Sequence, residues 1–286
     1  MSVLIVVFIL ALLLYAVLHH RNRYHHTDYY KQTRLPLSAV RQDKGLSGEY
    51  ETYRKLRHLR GYHRFLFNLY VPAEAGETTE IDQILLHESG IYVLEVKNYT
   101  GWIDGTAHQR CWTRTDPDGT SAPHYFYNPV LQNKGHIRWL HTWLKDRTLP
   151  IYSVVIFGDG CTLREVELEE GQQVVYLRKA KAAIRRHARR VGKQLTPDEI
   201  DRLYERLYWL TQADEETKRQ HIEDVRRKRK RHSHRRCWLF RWLFRRRRCP
   251  LCGAKLVIRR AQTGDNAGHK VLGCSNYPQC RYTQDL

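Results

Sequence analysis

The sequence predicts an α/β domain in which helices flank a mixed central sheet. Short runs of Ile, Val and Leu, bounded by turn residues, recur between residues 64 and 177 and are typical of buried strands. Longer segments with apolar residues three or four positions apart lie among and after these runs, as amphipathic helices require. The chain has 286 residues, which allows one main domain with small additional segments. Because strand and helix periods are interleaved along the chain, we predict a sheet with helices packed on it.

The chain begins with an apolar segment. Residues 3–18 are uncharged and almost wholly apolar, and a membrane-spanning helix needs at least about 17 such residues. A cleaved signal peptide usually has a basic start and a small-residue cleavage site, which this segment lacks. Arg21 and Arg23 follow directly, so the positive-inside rule places the later residues in the cytoplasm. We predict a single-pass inner-membrane anchor at residues 1–20, with a signal peptide as the alternative, and a basic linker at residues 21–44.

Local patterns and capping residues predict the remaining elements. Residues 46–60 form an amphipathic helix, with Ser47 as its candidate N-cap. Pro129 suits the first position of a helix that ends near residue 145, and Thr196-Pro197 suits the start of another. The predicted strands are residues 64–71, 80–87, 90–98, 151–157 and 173–177, with one or two short strands within 101–113, and the further predicted helices are residues 179–190, 196–210 and 215–231.

Asp82, Glu95 and Lys97 are charged residues within an otherwise strongly apolar hairpin. Asp82 lies on the first predicted strand, and Glu95 and Lys97 lie two residues apart on the second, so the last two point to the same face. Charges in an apolar strand are unfavourable unless they are paired or bind a metal. Two carboxylates and one ammonium form a set that metal-dependent phosphodiester cleavage uses. The alternative is that Asp82 and Glu95 are solvated charges at the ends of strands.

Further motifs accompany this hairpin in a fixed order. The five motifs are Gly48-Glu49, Asp82, Glu95-Val96-Lys97, Gly101-Trp102-Ile103-Asp104-Gly105 and Asn128-Pro129-Val130-Leu131-Gln132. Together, over residues 45–158, they resemble the nuclease-related domain family, a branch of the restriction-endonuclease-like fold. The resemblance implies a mixed sheet flanked by helices at residues 45–177 and a catalytic Mg²⁺ held by Asp82 and Glu95. It also implies that Lys97 assists the attacking water or the phosphate, and that Glu49 and Gln132 complete the site.

Four cysteines near the C-terminus have the spacing of a metal site. Cys249 and Cys252 are separated by two residues, Cys274 and Cys280 by five, and 21 residues separate the pairs. Four thiolates form a closed tetrahedral zinc site, which indicates structural Zn²⁺, and a disulfide pair is the alternative. The sequence of residues 249–283 resembles the zinc ribbon of bacterial type I DNA topoisomerases, which implies binding of single-stranded DNA. The candidate contacts are Arg259, Arg260, Tyr277, Arg281 and Tyr282.

The charge of the chain is concentrated before this ribbon. Formal net charge is +19, and residues 226–248 contain 13 Lys or Arg and no acid. Such a block favours binding to a polyanion, either nucleic acid or anionic lipid headgroups. Two Trp and two Phe lie among the arginines at residues 238–244, which suits a membrane interface or base stacking. We assign residues 178–248 to a helical and basic aromatic linker and residues 249–286 to the ribbon, and the adjacent ribbon favours DNA.

These patterns predict a membrane-anchored, metal-dependent nuclease that hydrolyses DNA phosphodiester bonds and binds DNA through its zinc ribbon. A non-catalytic, membrane-tethered DNA-binding protein is the first alternative, and a membrane-surface scaffold is the second. Scattered cysteines at positions 111, 161 and 237 do not form a disulfide framework, which is consistent with a reducing compartment.

Overall fold

The computed structural model describes residues 5–9, 22–118, 122–233, 254–260, 270–280 and 283–285. The chain divides into two compact units, Met1–Ile222 and Glu223–Leu286. The helices are α1 (Asp28–Thr33), α2 (Leu37–Gln42), α3 (Lys44–Leu56), α4 (Pro129–Leu144), α5 (Leu177–Val191), α6 (Pro197–Tyr208) and α7 (Glu215–Ser233). The strands are β1 (His63–Pro72), β2 (Thr78–His87), β3 (Gly90–Lys97), β4 (Gly101–Thr106), β5 (Cys111–Thr115), β6 (His124–Tyr127), β7 (Ile151–Phe157), β8 (Cys161–Glu167), β9 (Gln173–Tyr176), β10 (Leu256–Arg260), β11 (Lys270–Cys274) and β12 (Thr283–Asp285).

The first unit is built on a five-stranded mixed sheet with the order β1-β2-β3-β7-β9. β1, β2 and β3 are antiparallel neighbours, whereas β3, β7 and β9 run parallel. The central strands are almost continuously apolar because both faces of the sheet are covered. The predicted α/β class with a mixed sheet flanked by helices is therefore confirmed.

The two faces of this sheet are covered by different helices. Leu85, Tyr92 and Leu94 point to the face that packs against α3 and α5. Ile84 and Val93 point to the opposite face and pack against α4 and α6. Because successive strand residues alternate between faces, each side chain of the β2–β3 hairpin belongs to one core or the other.

A second sheet has the order β6-β5-β4-β8 and packs on the main sheet through the buried Ile103, Trp112 and Phe157. The motif at Gly101 to Gly105 forms strand β4, within the range 101–113 where one or two short strands are predicted. Gly101 has a φ of +89°, and a Cβ there would lie 2.5 Å from the Thr115 carbonyl oxygen, so glycine is required. β6 and β8 were not predicted, because β6 is very short and β8 contains mostly polar, partly exposed residues.

Residues 22–44 differ from the linker that the composition indicates. They contain α1 and α2, and Tyr24 and Tyr29 are buried in the core beside α3. The Tyr24 hydroxyl donates to the Leu35 carbonyl oxygen at 2.7 Å, which fixes the chain around α1. Asp43, rather than Ser47, caps α3 by accepting a hydrogen bond from the Leu46 amide. The polar and basic composition did not indicate these helices, because each buries a single side chain, Tyr29 in α1 and Val40 in α2.

Over the described ranges, no helix combines the length and the apolar character that crossing a bilayer requires. A spanning helix needs about 20 apolar residues, and the described part of the predicted anchor is the helical segment at residues 5–9. The prediction of a single-pass inner-membrane protein is therefore corrected, together with the topology derived from it. Residues 1–4 and 10–21 of the predicted anchor lie outside the described residues.

The second unit contains a small antiparallel sheet with the order β10-β11-β12. Its core consists of Leu256, Cys274 and Cys280, with Ala254 and Leu272 packed against them. The described residues of this unit supply few apolar side chains, and a fold of this size commonly depends on a metal or a disulfide for stability.

Candidate active site and nucleic-acid interface

The β2–β3 hairpin brings Asp82 and Glu95 together. Here the edge of the main sheet that contains them means the one formed by the strand ends, where β3 finishes, and not an outer strand. The antiparallel ladder ends at the pair Gln83 and Leu94, and one further step in this register places Asp82 opposite Glu95. The Val96 amide donates to Asp82 Oδ2 at 3.0 Å, which fixes that carboxylate against β3. Opposed residues of an antiparallel pair share a face, so the two acids lie on the face that α4 covers.

Glu95 is the buried centre of the site, with 1% of its surface exposed. Its Oε1 lies 2.6 Å from Lys97 Nζ, and its Oε2 lies 3.2 Å from His136 Nε2. Burial alone would raise the pKa of Glu95, but the Lys97 ammonium and His136 outweigh this and hold the pKa below its ordinary value. Glu95 is therefore ionised at neutral pH.

The same surroundings raise the pKa of both Asp82 and Lys97, which favours the neutral acid at Asp82 and the charged ammonium at Lys97. Burial, followed by repulsion from Glu95, raises the pKa of Asp82 to about 7. Burial opposes the charge of Lys97, but Glu95 and Asp82 attract it more strongly, so the pKa of Lys97 is raised and the ammonium stays charged. A strongly perturbed carboxyl beside a fixed ion pair is typical of functional sites.

Glu49 approaches this edge from α3, on the other side of the sheet. Gly48 allows the approach, because a Cβ there would lie 2.7 Å from the Asn98 Cβ. The Glu49 carbonyl oxygen accepts a 2.6 Å hydrogen bond from Gln83 Nε2, which holds α3 against β2. Burial, followed by repulsion from Asp82, raises the pKa of Glu49 well above its ordinary value. Glu49 Oε2 is buried and has no hydrogen-bond partner within the described chain.

Helix α4 supplies a residue that sequence reasoning missed. The His136 imidazole contacts Thr79 Oγ1 at 2.8 Å through Nδ1 and Glu95 Oε2 through Nε2. Gln132, the predicted site residue, lies one turn earlier on the same face of α4, and its side chain makes no hydrogen bond with described residues. The spacing of four residues from Gln132 was the available signal for His136.

Asn128 has a structural role in positioning α4. Its Oδ1 accepts hydrogen bonds from the Val130 and Leu131 amides, so it is the N-cap of the helix. Its Nδ2 donates to the carbonyl oxygens of Thr106, Ala107 and Gln109 in the β4–β5 turn. The Asn-Pro motif therefore anchors the start of the helix that presents His136 to Glu95.

The donor set at this edge fits a hard divalent cation. Asp82 and Glu95 supply carboxylate oxygens, and the unpartnered Oε2 of Glu49 is a third acidic oxygen nearby. Where the chain is described, no group of three or more His, Cys, Asp or Glu side chains lies close enough together to hold a metal ion. Mg²⁺ commonly binds through one or two carboxylates and keeps several waters, so Asp82 and Glu95 are sufficient in number without Glu49.

The ribbon places two predicted zinc ligands together. Cys274 and Cys280 are buried in one small cluster, and the Asn276 amide donates to Cys274 Sγ at 3.4 Å. An amide that donates to sulfur stabilises a thiolate, so this half of the site fits Zn²⁺. Cys249 and Cys252 lie outside the described residues.

The exposed face of the ribbon contains part of the predicted DNA contacts. Tyr277 is 58% exposed, and the Arg259 guanidinium lies 5.9 Å from its ring centroid. An exposed aromatic ring beside an arginine is suited to base stacking and phosphate contact. Arg260 ends β10, while Arg281, Tyr282 and the aromatic block at residues 238–244 lie outside the described residues.

Comparison with known proteins identifies the same two regions. The nuclease-related domain family matches residues 44–158, and the topoisomerase DNA binding C4 zinc finger matches residues 246–286. An uncharacterized protein of Bacillus anthracis is 31% identical over 202 residues, which cover 68% of this chain and 92% of that protein. The chain thus spans most of the length of this relative.

Two similar archaeal proteins match the C-terminal region alone. DNA topoisomerase 1 of Archaeoglobus fulgidus is 46% identical over 39 residues, which cover 14% of this chain and 5% of that protein. DNA topoisomerase 1 of Methanocaldococcus jannaschii is 51% identical over 38 residues, covering 13% of this chain and 4% of that protein. No solved structure matches the chain.

Proposed function

Because the chain belongs to the nuclease-related domain family and ends in a topoisomerase-type zinc ribbon, we propose that it is a Mg²⁺-dependent nuclease with a restriction-endonuclease-like core that hydrolyses DNA phosphodiester bonds. The observation that supports the reaction is the buried ion pair of Glu95 and Lys97 beside Asp82 at the open edge of the sheet. Burial and repulsion from Glu95 disfavour the charge of Asp82 despite the nearby Lys97 ammonium, and a bound divalent cation would offset both effects.

Each residue of the edge has a distinct task in this proposal. Asp82 and Glu95 hold the cation, and the Val96 carbonyl is a further oxygen beside them. A bound divalent cation would supply a water of lowered pKa and stabilise negative charge on the phosphate. Lys97 orients the attacking water or offsets charge on the scissile phosphate.

The surrounding residues complete the pocket. His136 positions Glu95 through Nε2 and is itself fixed by Thr79. Glu49 closes the site from α3 as a further acidic group, and Gln132 faces the site from the first turn of α4. The ribbon binds DNA through Arg259 and Tyr277 without selecting a sequence, because stacking and phosphate contacts are common to all bases. Structural Zn²⁺ on the four cysteines maintains that surface.

The test uses the full chain and an Asp82→Ala variant, incubated with plasmid and single-stranded DNA with and without Mg²⁺. The proposal requires cleavage that depends on both Mg²⁺ and Asp82. Asp104→Asn is the matched control, because Asp104 is another partly buried aspartate of the same unit whose partner is Arg164. Cleavage that survives Asp82→Ala would contradict the assigned site.

A second candidate function is that of a non-catalytic DNA-binding protein. The contacts of Glu95 favour this function. Lys97 contacts one of its carboxylate oxygens and His136 contacts the other, so a cation must displace one of these side chains. In that case the ribbon is the functional centre, and Asp82→Ala leaves DNA binding unchanged in a protein that never cleaves.

A further inference from the structure

Helix α5 has a strongly basic outward face. Seven of its 15 residues are Lys or Arg, and none is acidic. Ala180, Ile184 and His187 form its buried side, which packs on the main sheet. The basic face is defined here by the exposed cations of α5 other than Arg178, which are Lys179, Arg185, Arg186, Arg189 and Arg190.

These five cations have no acidic partner within the described residues. The ion pairs of this region involve its ends, where Arg178 contacts Asp159 and Lys193 contacts Glu88. Like charges along one helix face repel one another. An unpaired row of this kind lowers its free energy when a polyanion lies against it.

The basic face begins at the edge of the sheet that contains the candidate active site. β9 leads directly into α5, and its Tyr176 pairs with Phe157, which in turn pairs with Lys97. The Gly158 amide donates to the Lys97 carbonyl oxygen at 2.9 Å, and the adjacent Asp159 accepts from the Arg178 amide at 3.1 Å. A short chain of contacts therefore joins Lys97 to the first turn of α5.

The far end of α5 borders a cavity at the opposite edge of the sheet. The cavity has a volume of about 330 Å³ and is lined by Arg60, Arg185, Arg189 and Lys193, with Glu88 as its acidic residue. From Arg178 to Arg190 the helix rises by about 18 Å at about 1.5 Å per residue. This distance spans about five phosphates of one DNA strand at about 3.4 Å each.

We propose that the basic face of α5, extended by Arg60, binds the phosphate backbone of duplex DNA and leads it toward Asp82. The proposal rests on the proposed function in taking DNA as the substrate. A membrane surface is the less suitable occupant, because a helix that lies in a bilayer interface exposes apolar residues beside its basic ones. On α5 the apolar Ala180 and Ile184 are buried against the sheet.

The test is a variant with glutamine at four arginines, R185Q/R186Q/R189Q/R190Q, in the full chain. Binding to a labelled duplex is measured against salt concentration in Mg²⁺-free buffer without chelator, so that DNA is not cut and zinc is retained. We expect Kd to rise at least tenfold, and the slope of log K against log salt to fall by about three to four, since each lost phosphate contact removes about 0.9.

A matched control loses the same net charge outside both α5 and α4, the helix that borders the candidate site. R23Q/K31Q/R34Q/R110Q changes four exposed cations of the N-terminal helical region and the β4–β5 turn, and it should bind with an unchanged slope. The lysine variant R185K/R186K/R189K/R190K, which keeps the charge, should restore binding and rule out unfolding as the cause.

Two results would overturn the proposal. One is an equal loss in the glutamine variant and the control, which would attribute binding to net charge. The other is a glutamine variant that binds duplex like the wild type but loses binding to anionic vesicles. The binding comparison does not require catalysis, so a chain that never cleaves DNA would refute the nuclease and leave this test valid. Active cleavage with unchanged duplex binding would refute the surface alone.

Discussion

Replacing Asp82 with asparagine should stabilise the metal-free protein and abolish its stabilisation by Mg²⁺. The side chain keeps its size and an oxygen that accepts from the Val96 amide, but it loses the charge that burial and Glu95 disfavour. A residue that the fold tolerates poorly without its ligand is expected at a cation site.

The magnitude follows from the pKa of the carboxyl. The pKa of Asp82 rises from 3.8 to about 7 on folding, and about three units correspond to at most about 4 kcal/mol. Because Asp82 is partly exposed, solvent reduces this, and we expect about 2 kcal/mol, or about 4–8 °C in Tm. The folded chain binds the proton more tightly, so stability is lost as pH rises from about 4 to about 7. The gain from Asp82→Asn should thus be full at pH 8 and shrink toward pH 4.

The assay is thermal unfolding of wild type and Asp82→Asn at pH 8, with and without Mg²⁺. At a concentration of about 100 Kd, Mg²⁺ should stabilise the wild type by about 2.7 kcal/mol and the variant hardly at all. Asp104→Asn is the control, which should show no metal-free gain and a full response to Mg²⁺. A lower Tm for Asp82→Asn at pH 8, or an undiminished response to Mg²⁺, would refute the assignment.

Three further changes test other parts of the molecule. His136→Gln should lower kcat for DNA cleavage about 10–100-fold with little change in KM, because it releases the orientation of Glu95. Lys97→Met should destabilise the metal-free protein by about 3–5 kcal/mol at pH 7, measured by urea unfolding, because it leaves the buried charge of Glu95 without its ammonium partner. This loss should diminish at acidic pH, where Glu95 without Lys97 takes up a proton. Tyr277→Ala should weaken binding of single-stranded DNA by about 1–3 kcal/mol in a titration.

The first and last of these predictions have a control within the chain. His141→Gln changes a histidine of the same helix whose Nδ1 contacts the Asp146 carbonyl oxygen, and it should leave kcat unchanged. Tyr127→Ala removes another exposed tyrosine, 47% exposed on β6, and it should not alter binding of single-stranded DNA. The argument for His136 would be contradicted if His141→Gln lowered kcat as much as His136→Gln. The argument for Lys97 would be contradicted if the stability loss in Lys97→Met grew as the pH falls. The argument for Tyr277 would be contradicted if Tyr277→Ala bound single-stranded DNA normally.

Local patterns predicted the elements whose signals are contained in a few neighbouring residues. The apolar hairpin of β2 and β3 was predicted because both strands are buried on two faces and need no partner to be recognised. Asn128-Pro129 and Thr196-Pro197 marked two helix starts, and the structure shows side-chain caps at both. The two family resemblances are confirmed by the matched ranges.

The helices around the core were harder to predict where composition and burial disagree. Residues 22–44 are polar and basic, yet Tyr24 and Tyr29 are buried in the core, where the Tyr24 hydroxyl donates to the Leu35 carbonyl oxygen. Tyrosine has an apolar body and a polar tip, so its burial depends on what lies opposite it.

The sequence by itself determined the α/β class, the carboxylates and lysine of the candidate site, and the cysteine spacing of the ribbon. Only the tertiary structure decided that His136 contacts Glu95, 41 residues away, and that α3 brings Glu49 to the same edge. It likewise decided that α5 extends from that edge along the sheet with its cations outward. Periodicity and capping are properties of neighbouring residues, whereas these contacts depend on how distant elements pack, which no local pattern encodes.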